Sequence, residues 1–315
     1  MNLATIDVGT NTTLLLVASV VGPRVEVLDE RAEITRLGRG IGGRANVEKP
    51  GALAQEAIDR TLAVLRDYAG IARRHGARIA AVGTEALRRA PNAAAFLGPA
   101  AEILGSQIEV IGGEREAALT FRAVTASFAD VAAGQIAVVD IGGGSTEIVL
   151  ASRGEIGFRV SLPLGSVRLT EAHVRHDPPT AADRAAIEAA VDAAIRAVPF
   201  ARTPGTLVGV AGTVTSLAAM ALELGSDDPA RVHGYRLSRA DLGRQVARLG
   251  SATQAARERM IGLDPRRADV IFAGALILDR IAAAAGAGDV LVSDRGIRWG
   301  LLHELAEAAP DRVGA

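Results

Sequence analysis

A seven-residue pattern occurs twice in this chain, at Asp7–Thr13 and again at Asp140–Thr146. Both copies contain Asp, a β-branched residue, Gly, two variable positions, a hydroxyl residue and Thr. Each copy lies between two short apolar runs, which predicts a strand, a tight glycine turn and a returning strand. Glycine and small hydroxyl residues let backbone N–H groups approach an anion. Two such turns predict duplicated lobes that face each other across a cleft.

The turns supply most of the candidate phosphate-binding residues. A single copy would favour an ordinary Asp turn, whereas the repetition, the consecutive glycines and the matching hydroxyls favour a phosphate clamp. The candidates are Gly9, Thr10, Asn11, Thr12, Gly142, Gly143, Gly144 and Ser145. A phosphate chain held there needs its charge neutralised, which predicts Mg²⁺, with Mn²⁺ as a substitute, held by nearby carboxylates or their bound waters.

A third glycine segment, Gly209–Thr215, follows an apolar run and precedes a predicted helix. The N–H groups of Gly212 and Thr213 would lie at a helix N-terminus, which favours anions. Simple packing of a strand on a helix explains the glycines equally well. The position after the second hairpin favours a lining for a nucleotide or for distal phosphates.

Two glutamates are further candidates. Glu116, like Glu114, falls in the first turn of a predicted helix, where the helix dipole alone favours acids. Glu147 begins a hydrophobic strand, where a carboxylate is unexpected unless it faces a polar cleft. An outward-facing strand position fits Glu147 equally well on periodicity alone.

Composition limits the partners. The chain has 315 residues, of which 49% are hydrophobic, enough for a large core and two domains. A net charge of −1 argues against nucleic-acid and membrane partners. The absence of cysteine excludes disulfides and thiolate chemistry. No segment resembles a targeting sequence or is apolar for long enough to span a bilayer, so we expect a cytoplasmic protein.

Strands followed by alternating helices and strands, in each half, predict an α/β fold with two mixed sheets and flanking helices. The predicted lobes are residues 1–126 and 127–296, and a closing helix at about 297–315 is expected to pack back onto the first lobe. In the first lobe, three strands precede a helix from about Pro50 to His75.

Several familiar patterns fail. Gly38, Gly40 and Gly43 match G-x-G-x-x-G, but no helix follows at once, so a dinucleotide site is not expected. The chain has neither a P-loop nor a G-x-S-x-G elbow. His173 and His176 lie beside Asp177 and two prolines in a predicted surface loop, which argues against a metal site.

With these residues assembled, the chain resembles a short form of the exopolyphosphatase/guanosine pentaphosphate phosphatase (Ppx/GppA) family of the actin–hexokinase–Hsp70 superfamily. The resemblance covers nearly the whole chain and is carried by Ala4–Asn11, Gly83–Arg88, Gly113–Ala117, Asp140–Glu147, Ser161–Glu171, Arg267–Ile271 and Gly296–Leu301. It implies two ribonuclease-H-like lobes, an active site in the interlobe cleft and Mg²⁺-dependent release of a terminal phosphate.

The resemblance also implies roles for individual residues. Glu116 matches the catalytic acid of the family, and Glu147 matches its second essential glutamate. Asp7, Asp140 and Glu147 match metal-site carboxylates, and Arg88 matches a phosphate-binding arginine. Arg115 stands where relatives often carry another acid, which could weaken metal binding or add a phosphate contact.

We therefore expect an exopolyphosphatase that releases orthophosphate from the end of inorganic polyphosphate. Larger relatives continue into a helical C-terminal region, and its absence here favours short chains. The alternative is a 5′-phosphatase acting on guanosine pentaphosphate (pppGpp). More remote alternatives are an ATP-dependent kinase and a nucleotide-switched binding protein of the same superfamily. A homodimer is expected from the relatives.

Overall fold

The computed structural model describes residues 1–22, 24–42, 51–200, 205–225 and 229–308. The chain divides into two compact units. Unit 1 consists of Met1–Ala123 with the closing helix Ile297–Glu307, and unit 2 consists of Val124–Gly296. Each unit is built around one mixed sheet, as the sequence predicts.

The sheet of unit 1 has five strands in the order β3-β2-β1-β4-β5. Its strands are β1 (Asn2–Val8), β2 (Thr12–Val21), β3 (Arg24–Ile34), β4 (Arg78–Gly83) and β5 (Ile108–Val110). The first three pair antiparallel as a meander. Strands β4 and β5 run parallel to β1, because helical crossovers return the chain to the same end of the sheet before each of them.

Helices cover both faces of this sheet. They are α1 (Gln55–Arg74), α2 (Glu85–Arg89), α3 (Ala94–Leu104), α4 (Gly113–Ser127) and, at the end of the chain, α13 (Ile297–Glu307). Alternate residues of β1 enter two different cores. Ile6 packs in the cluster with Phe96 of α3, and Leu3 packs in the cluster with Trp299 of α13. Burial on both faces explains the nearly continuous apolar run of β1.

The sheet of unit 2 has six strands in the order β10-β11-β9-β6-β7-β8. Its strands are β6 (Gln135–Ile141), β7 (Thr146–Ser152), β8 (Glu155–Leu162), β9 (Thr206–Val210), β10 (Arg236–Ser238) and β11 (Asp289–Val292). Strands β6, β7 and β8 repeat the meander of unit 1. A register shift occurs at Val17/Ala18 and at Leu150/Ala151, the same position relative to the repeated aspartate.

The helices of unit 2 are α5 (Ala129–Ala132), α6 (Ser166–His173), α7 (Ala181–Ile195), α8 (Ala211–Ala221), α9 (Pro229–Val232), α10 (Arg239–Ser251), α11 (Gln254–Arg257) and α12 (Ile271–Ala284). The last of these is the most deeply buried long helix of the unit, with Phe272, Leu276 and Ile277 in the core. Among the described residues, no helix is both long and apolar enough to cross a bilayer.

Two local features differ from the sequence prediction. Helix α1 begins at Gln55. The predicted helix start at Pro50, like Gly43, lies outside the described residues. Helix α6 follows β8 and ends at His173, a residue that the sequence places in a predicted surface loop.

Candidate active site

The predicted site residues of unit 1 converge at one edge of its sheet. Strands β1, β4 and β5 are parallel, so their carboxyl ends meet at the same edge. Asp7 lies near the end of β1, Arg88 lies on α2 directly after β4, and Glu116 lies on α4 shortly after β5. Loops at this edge are the usual ligand-binding position in open α/β sheets.

The first repeated turn is closed by one backbone hydrogen bond. The Gly9 N–H donates to the Thr12 carbonyl at 3.0 Å. A Cβ atom at Gly9 would lie 2.8 Å from that oxygen, so the turn requires glycine. Asp7, Thr10 and Asn11 are all buried. Polar side chains this buried in a glycine turn are suited to a bound ligand or to structural hydrogen bonds.

Arg88 and Glu116 form an ion pair. Arg88 Nη1 donates to Glu116 Oε1 at 2.6 Å and to the Ile111 carbonyl at 2.6 Å. The Glu116 side chain is 4% exposed and that of Arg88 is 32% exposed. Arg88 thus orients the predicted catalytic carboxylate while part of its own side chain stays accessible.

Arg115 has a partner that the sequence did not reveal. Its guanidinium binds both carboxylate oxygens of Glu304 on α13. The hydrogen bonds from Arg115 lower the pKa of Glu304, and the same contact raises the pKa of Arg115. The pair joins α4, which carries Glu116, to the closing helix, so Arg115 has a structural role.

The predicted residues of unit 2 also gather at one sheet edge. Strands β6, β9 and β11 are parallel, and Asp140 is the register partner of Val210. The second repeated turn follows β6, and Gly212 and Thr213 follow β9 at the start of α8. A Cβ atom at Gly296, after β11, would lie 3.8 Å from Asp140 Oδ2. All three loops therefore lie at the same edge.

The second turn repeats the geometry of the first. The Gly142 N–H donates to the Ser145 carbonyl at 3.0 Å. Gly143 and Gly144 form the tip of the turn, and Ser145 is buried. Within the described residues, no backbone acceptor is bonded to the N–H groups of Gly143, Gly144 and Ser145. These three donors are therefore suited to an anion.

Asp140 and Glu147 are direct register partners on β6 and β7. Side chains opposite each other in an antiparallel pair lie on the same face, so two buried carboxylates are neighbours here. Ser161 Oγ donates to Glu147 Oε1 at 2.6 Å and fixes that carboxylate. In unit 1 the partner of Asp7 is Leu14. An adjacent pair of oxygen ligands suits Mg²⁺, which fits the predicted metal role of these two residues.

Within the part of the chain that the structure describes, no group of three or more acidic or histidine side chains forms a complete metal-binding cluster. Histidines 173 and 176 do not form one either. His176 Nδ1 instead lies 3.0 Å from Asp183 Oδ2, at the start of α7. The roles of Asp7, Asp140 and Glu147 as metal ligands stay predictions.

The third glycine segment has an arginine against it. Ala211 begins α8 with a φ of 72°, an uncommon conformation for a residue with a Cβ atom. A Cβ atom at Gly212 would overlap the guanidinium of Arg267. A guanidinium at a helix N-terminus reinforces the positive potential of that terminus. This arrangement favours an anion over simple packing, although the role of Gly212 and Thr213 stays a prediction.

Comparison with known proteins decides the family. A family model described as the Ppx/GppA phosphatase family matches residues 16–309. The chain belongs to the Ppx/GppA phosphatase family. The fold class predicted from the sequence is confirmed by solved structures of this family.

Relatives in the Ppx/GppA family match the chain over almost its full length. Exopolyphosphatase 2 of Mycobacterium tuberculosis is 37% identical, over 96% of this chain and 98% of the relative. The crystal structure of the Aquifex aeolicus family member has a TM-score of 0.81 at 32% identity and covers 98% of both chains. An exopolyphosphatase from Cytophaga hutchinsonii has a TM-score of 0.88 at 27% identity and covers 100% of both chains.

Two contacts in this Ppx/GppA protein were not predicted from the sequence. Arg168 donates to the carbonyl of Gly144, and the Gly38 N–H donates to the carbonyl of Thr10. Neither position was expected to contact one of the repeated glycine turns. Arg168 does lie in the Ser161–Glu171 segment that carries the family resemblance, which was the one available signal.

Proposed function

We propose that this protein is an exopolyphosphatase that hydrolyses the terminal phosphoanhydride of inorganic polyphosphate and releases orthophosphate. The observation that carries the proposal is the repeated Asp–glycine turn at the carboxyl edge of each sheet, in a chain whose relatives include a protein named an exopolyphosphatase. Short-chain polyphosphate is the first candidate substrate.

In the proposed reaction, unit 1 supplies the general base. Glu116 orients the attacking water and takes its proton, a role worth about 10²–10⁴-fold in rate. The ion pair with Arg88 supports this role because it holds Glu116 Oε1 in place. The N–H groups of the first turn and the accessible part of Arg88 bind phosphate oxygens.

Unit 2 supplies the second phosphate turn and a pair of carboxylates. The N–H groups of Gly143, Gly144 and Ser145 stabilise charge on the phosphate oxygens as it develops. Asp140 and Glu147 are the proposed ligands of Mg²⁺ in this unit, and Asp7 is the proposed ligand in unit 1. When bound, this ion neutralises phosphate charge. We also propose a cytoplasmic location and a homodimer; light scattering of the purified chain would test the dimer.

A substrate panel tests the proposal. The purified chain is incubated with Mg²⁺ and short-chain polyphosphate, long-chain polyphosphate, pppGpp or ATP, and orthophosphate release is measured. We expect the highest kcat/KM with polyphosphate, and with short chains above long ones. Orthophosphate release from pppGpp alone would identify the protein as a 5′-phosphatase instead. Release from none of the four substrates would overturn the proposal.

The base assignment has a matched pair of variants. Glu116→Gln keeps an oxygen that can accept the Arg88 hydrogen bond but removes the proton acceptor. We expect its kcat for polyphosphate to fall about 10²–10⁴-fold, with little change in KM. Glu114→Gln, an exposed acid in the same first turn of α4, serves as the control. Equal activity of the two variants would place the base elsewhere.

A further inference from the structure

The first turn of α6 holds the carbonyl groups of the second phosphate turn. The Ser166 N–H donates to the Gly142 carbonyl at 3.0 Å. The N–H groups of Val167 and Arg168 donate to the Gly143 carbonyl at 3.0 and 3.1 Å. These N–H groups are those that a helix start leaves without partners inside the helix, so the turn also caps α6.

The third glycine carbonyl is held by a side chain. Arg168 Nε donates to the Gly144 carbonyl at 2.7 Å. The close approach depends on Gly165, because a Cβ atom there would overlap the backbone of Gly143. Together, the start of α6 and one guanidinium therefore hold the carbonyls of Gly142, Gly143 and Gly144.

The direction of these carbonyls fixes the direction of the phosphate donors. In a trans peptide the C=O and N–H bonds point in opposite directions. The carbonyls of Gly142, Gly143 and Gly144 point toward α6. The N–H groups of the next residue in each peptide, Gly143, Gly144 and Ser145, must then point away from α6. These are the three donors that the proposed function assigns to phosphate.

We call the hydrogen bonds from α6 and Arg168 to the carbonyls of the turn the brace. The glycines of the turn make the brace necessary. Three successive glycines have more backbone freedom than any other sequence, and each peptide could rotate away from the required direction. Backbone N–H groups hold the carbonyls of the first two peptides, whereas among the described residues the carbonyl of the third peptide is held by the Arg168 side chain. Loss of one preorganised donor in an active site typically costs about 10²–10³-fold in rate.

In unit 1, backbone N–H groups hold the corresponding carbonyls of the first turn. The Gly38 N–H donates to the Thr10 carbonyl at 2.8 Å, and the Arg36 N–H donates to the Asn11 carbonyl at 2.9 Å. Arg36 has a φ of 52°, in the left-handed region that favours glycine. In both units, the segment after the third strand of the meander therefore holds the carbonyls of the phosphate turn.

We infer that Arg168 is a positioning residue of the active site, whose contact with the Gly144 carbonyl keeps the Ser145 N–H directed at the substrate phosphate. The inference rests on the proposed function, because it concerns the same turn. Arg168 acts through the turn, and its role is separate from that of the catalytic base.

The test compares two arginines of the same helix region. Arg168→Met removes the contact with the turn. Arg175→Met is the control, because Arg175 donates to the carbonyls of Glu171 and Ala172 at the other end of α6. With polyphosphate, we expect the kcat of Arg168→Met to fall about 10- to 100-fold. KM should change far less, because remote phosphates contribute to binding.

Two further measurements separate positioning from folding. Arg168→Lys keeps a donor of the same charge and should recover much of the lost kcat. Thermal unfolding should give similar melting temperatures for the Met variants at positions 168 and 175. Equal loss of kcat in these two variants, or a kcat of Arg168→Met within about twofold of the wild type, would overturn the inference.

Binding of inorganic phosphate separates this inference from the proposed function. The amide NMR signals of Gly143, Gly144 and Ser145 are followed during titration with orthophosphate. We expect phosphate-dependent shifts in the wild type and in Arg175→Met, and much smaller shifts in Arg168→Met. This pattern of shifts in a protein that does not hydrolyse polyphosphate would reject the proposed substrate but support the role of Arg168. Hydrolysis with unchanged shifts in Arg168→Met would reject the brace alone.

Discussion

Asp140 and Glu147 place two carboxylates opposite each other on neighbouring antiparallel strands. Like charges in this position destabilise a sheet by roughly 0.2–1 kcal/mol. Unit 1 avoids the repulsion, because Leu14 stands opposite Asp7. A cation held by the two carboxylates, as proposed for Mg²⁺, would remove this repulsion.

The variant Glu147→Gln therefore tests whether Glu147 binds metal, through its effect on the melting temperature. Without metal, we expect the melting temperature of Glu147→Gln to equal or exceed that of the wild type, because the repulsion is relieved. Added Mg²⁺ should raise the melting temperature less than in the wild type, because a ligand is lost. Glu155→Gln, at an exposed position on β8, is the control. The same Mg²⁺-dependent rise in all three proteins would contradict the assignment.

At the residue scale, the sequence was informative where a local pattern sufficed. The repeated aspartate turns lie where their flanking apolar runs predict. The partners of the glutamates could not be predicted, because Arg88 and Glu116 are separated by 28 positions and Ser161 and Glu147 by 14. Contacts at such separations are set by the packing of helices on the sheet, which leaves no periodic signal.

At the scale of elements, the start of α7 is fixed by a capping box. Asp183 Oδ2 accepts from the Thr180 N–H at 3.0 Å, and Thr180 Oγ1 accepts from the Asp183 N–H at 3.2 Å. Burial by itself raises the pKa of Asp183. The hydrogen bonds from Thr180, His176 and Arg175 outweigh it and lower the pKa to about 2.

This cap gives a prediction for acid. An unfolded aspartate has a pKa of about 3.9, so the charged cap stabilises the protein above that pH. The contribution is lost as the pH falls from about 4 to about 2. We expect Asp183→Asn to lower the free energy of unfolding by about 0.5–2 kcal/mol at pH 7. Urea unfolding at several pH values should show the deficit shrinking in acid, and a constant deficit would contradict this origin.

Two helical glycines give a second prediction at this scale. A Cβ atom at Gly300 of α13 would overlap the Leu119 carbonyl of α4, whereas a Cβ atom at Gly98 of α3 would meet nothing within 4 Å. We expect Gly300→Ala to destabilise by about 1–3 kcal/mol through overpacking. Gly98→Ala should stabilise by about 0.5–1 kcal/mol, because alanine favours helix. Chemical unfolding of both variants checks the opposite signs.

The elements themselves were predictable in part. The long amphipathic helix α1 ends at Arg74, one residue before the predicted end at His75. Helix α6 was missed because it has only eight residues and follows Pro163 and Gly165, which indicate a loop. Its formation depends on the carbonyls of a turn more than 20 residues earlier, a tertiary effect that local propensity does not contain.

At the scale of the whole molecule, unit 1 is discontinuous in sequence. The closing helix α13 brings Trp299 and Leu302 into a core with Leu3 and Leu16. Thr5 Oγ1 donates to the Arg298 carbonyl at 2.9 Å, and the Arg298 side chain binds Glu30. One face of the first sheet is therefore completed only by the last described element of the chain.

Deleting the chain from Ile297 onward should therefore unfold one unit and spare the other. Without Trp299 and Leu302, β1 and β2 lose the apolar cover of one face. The free energy lost when several large side chains leave a core exceeds the usual free energy of unfolding of a domain. Hydrogen exchange followed by mass spectrometry should show loss of protection in β1, β2 and β4. The amides of β6, β7 and β9 should exchange at the same rates in the truncated chain as in the full chain. The same strands should also exchange at these rates in an isolated 124–296 fragment. Protection of β1 equal to that in the full chain would mean that unit 1 is stable without its closing helix.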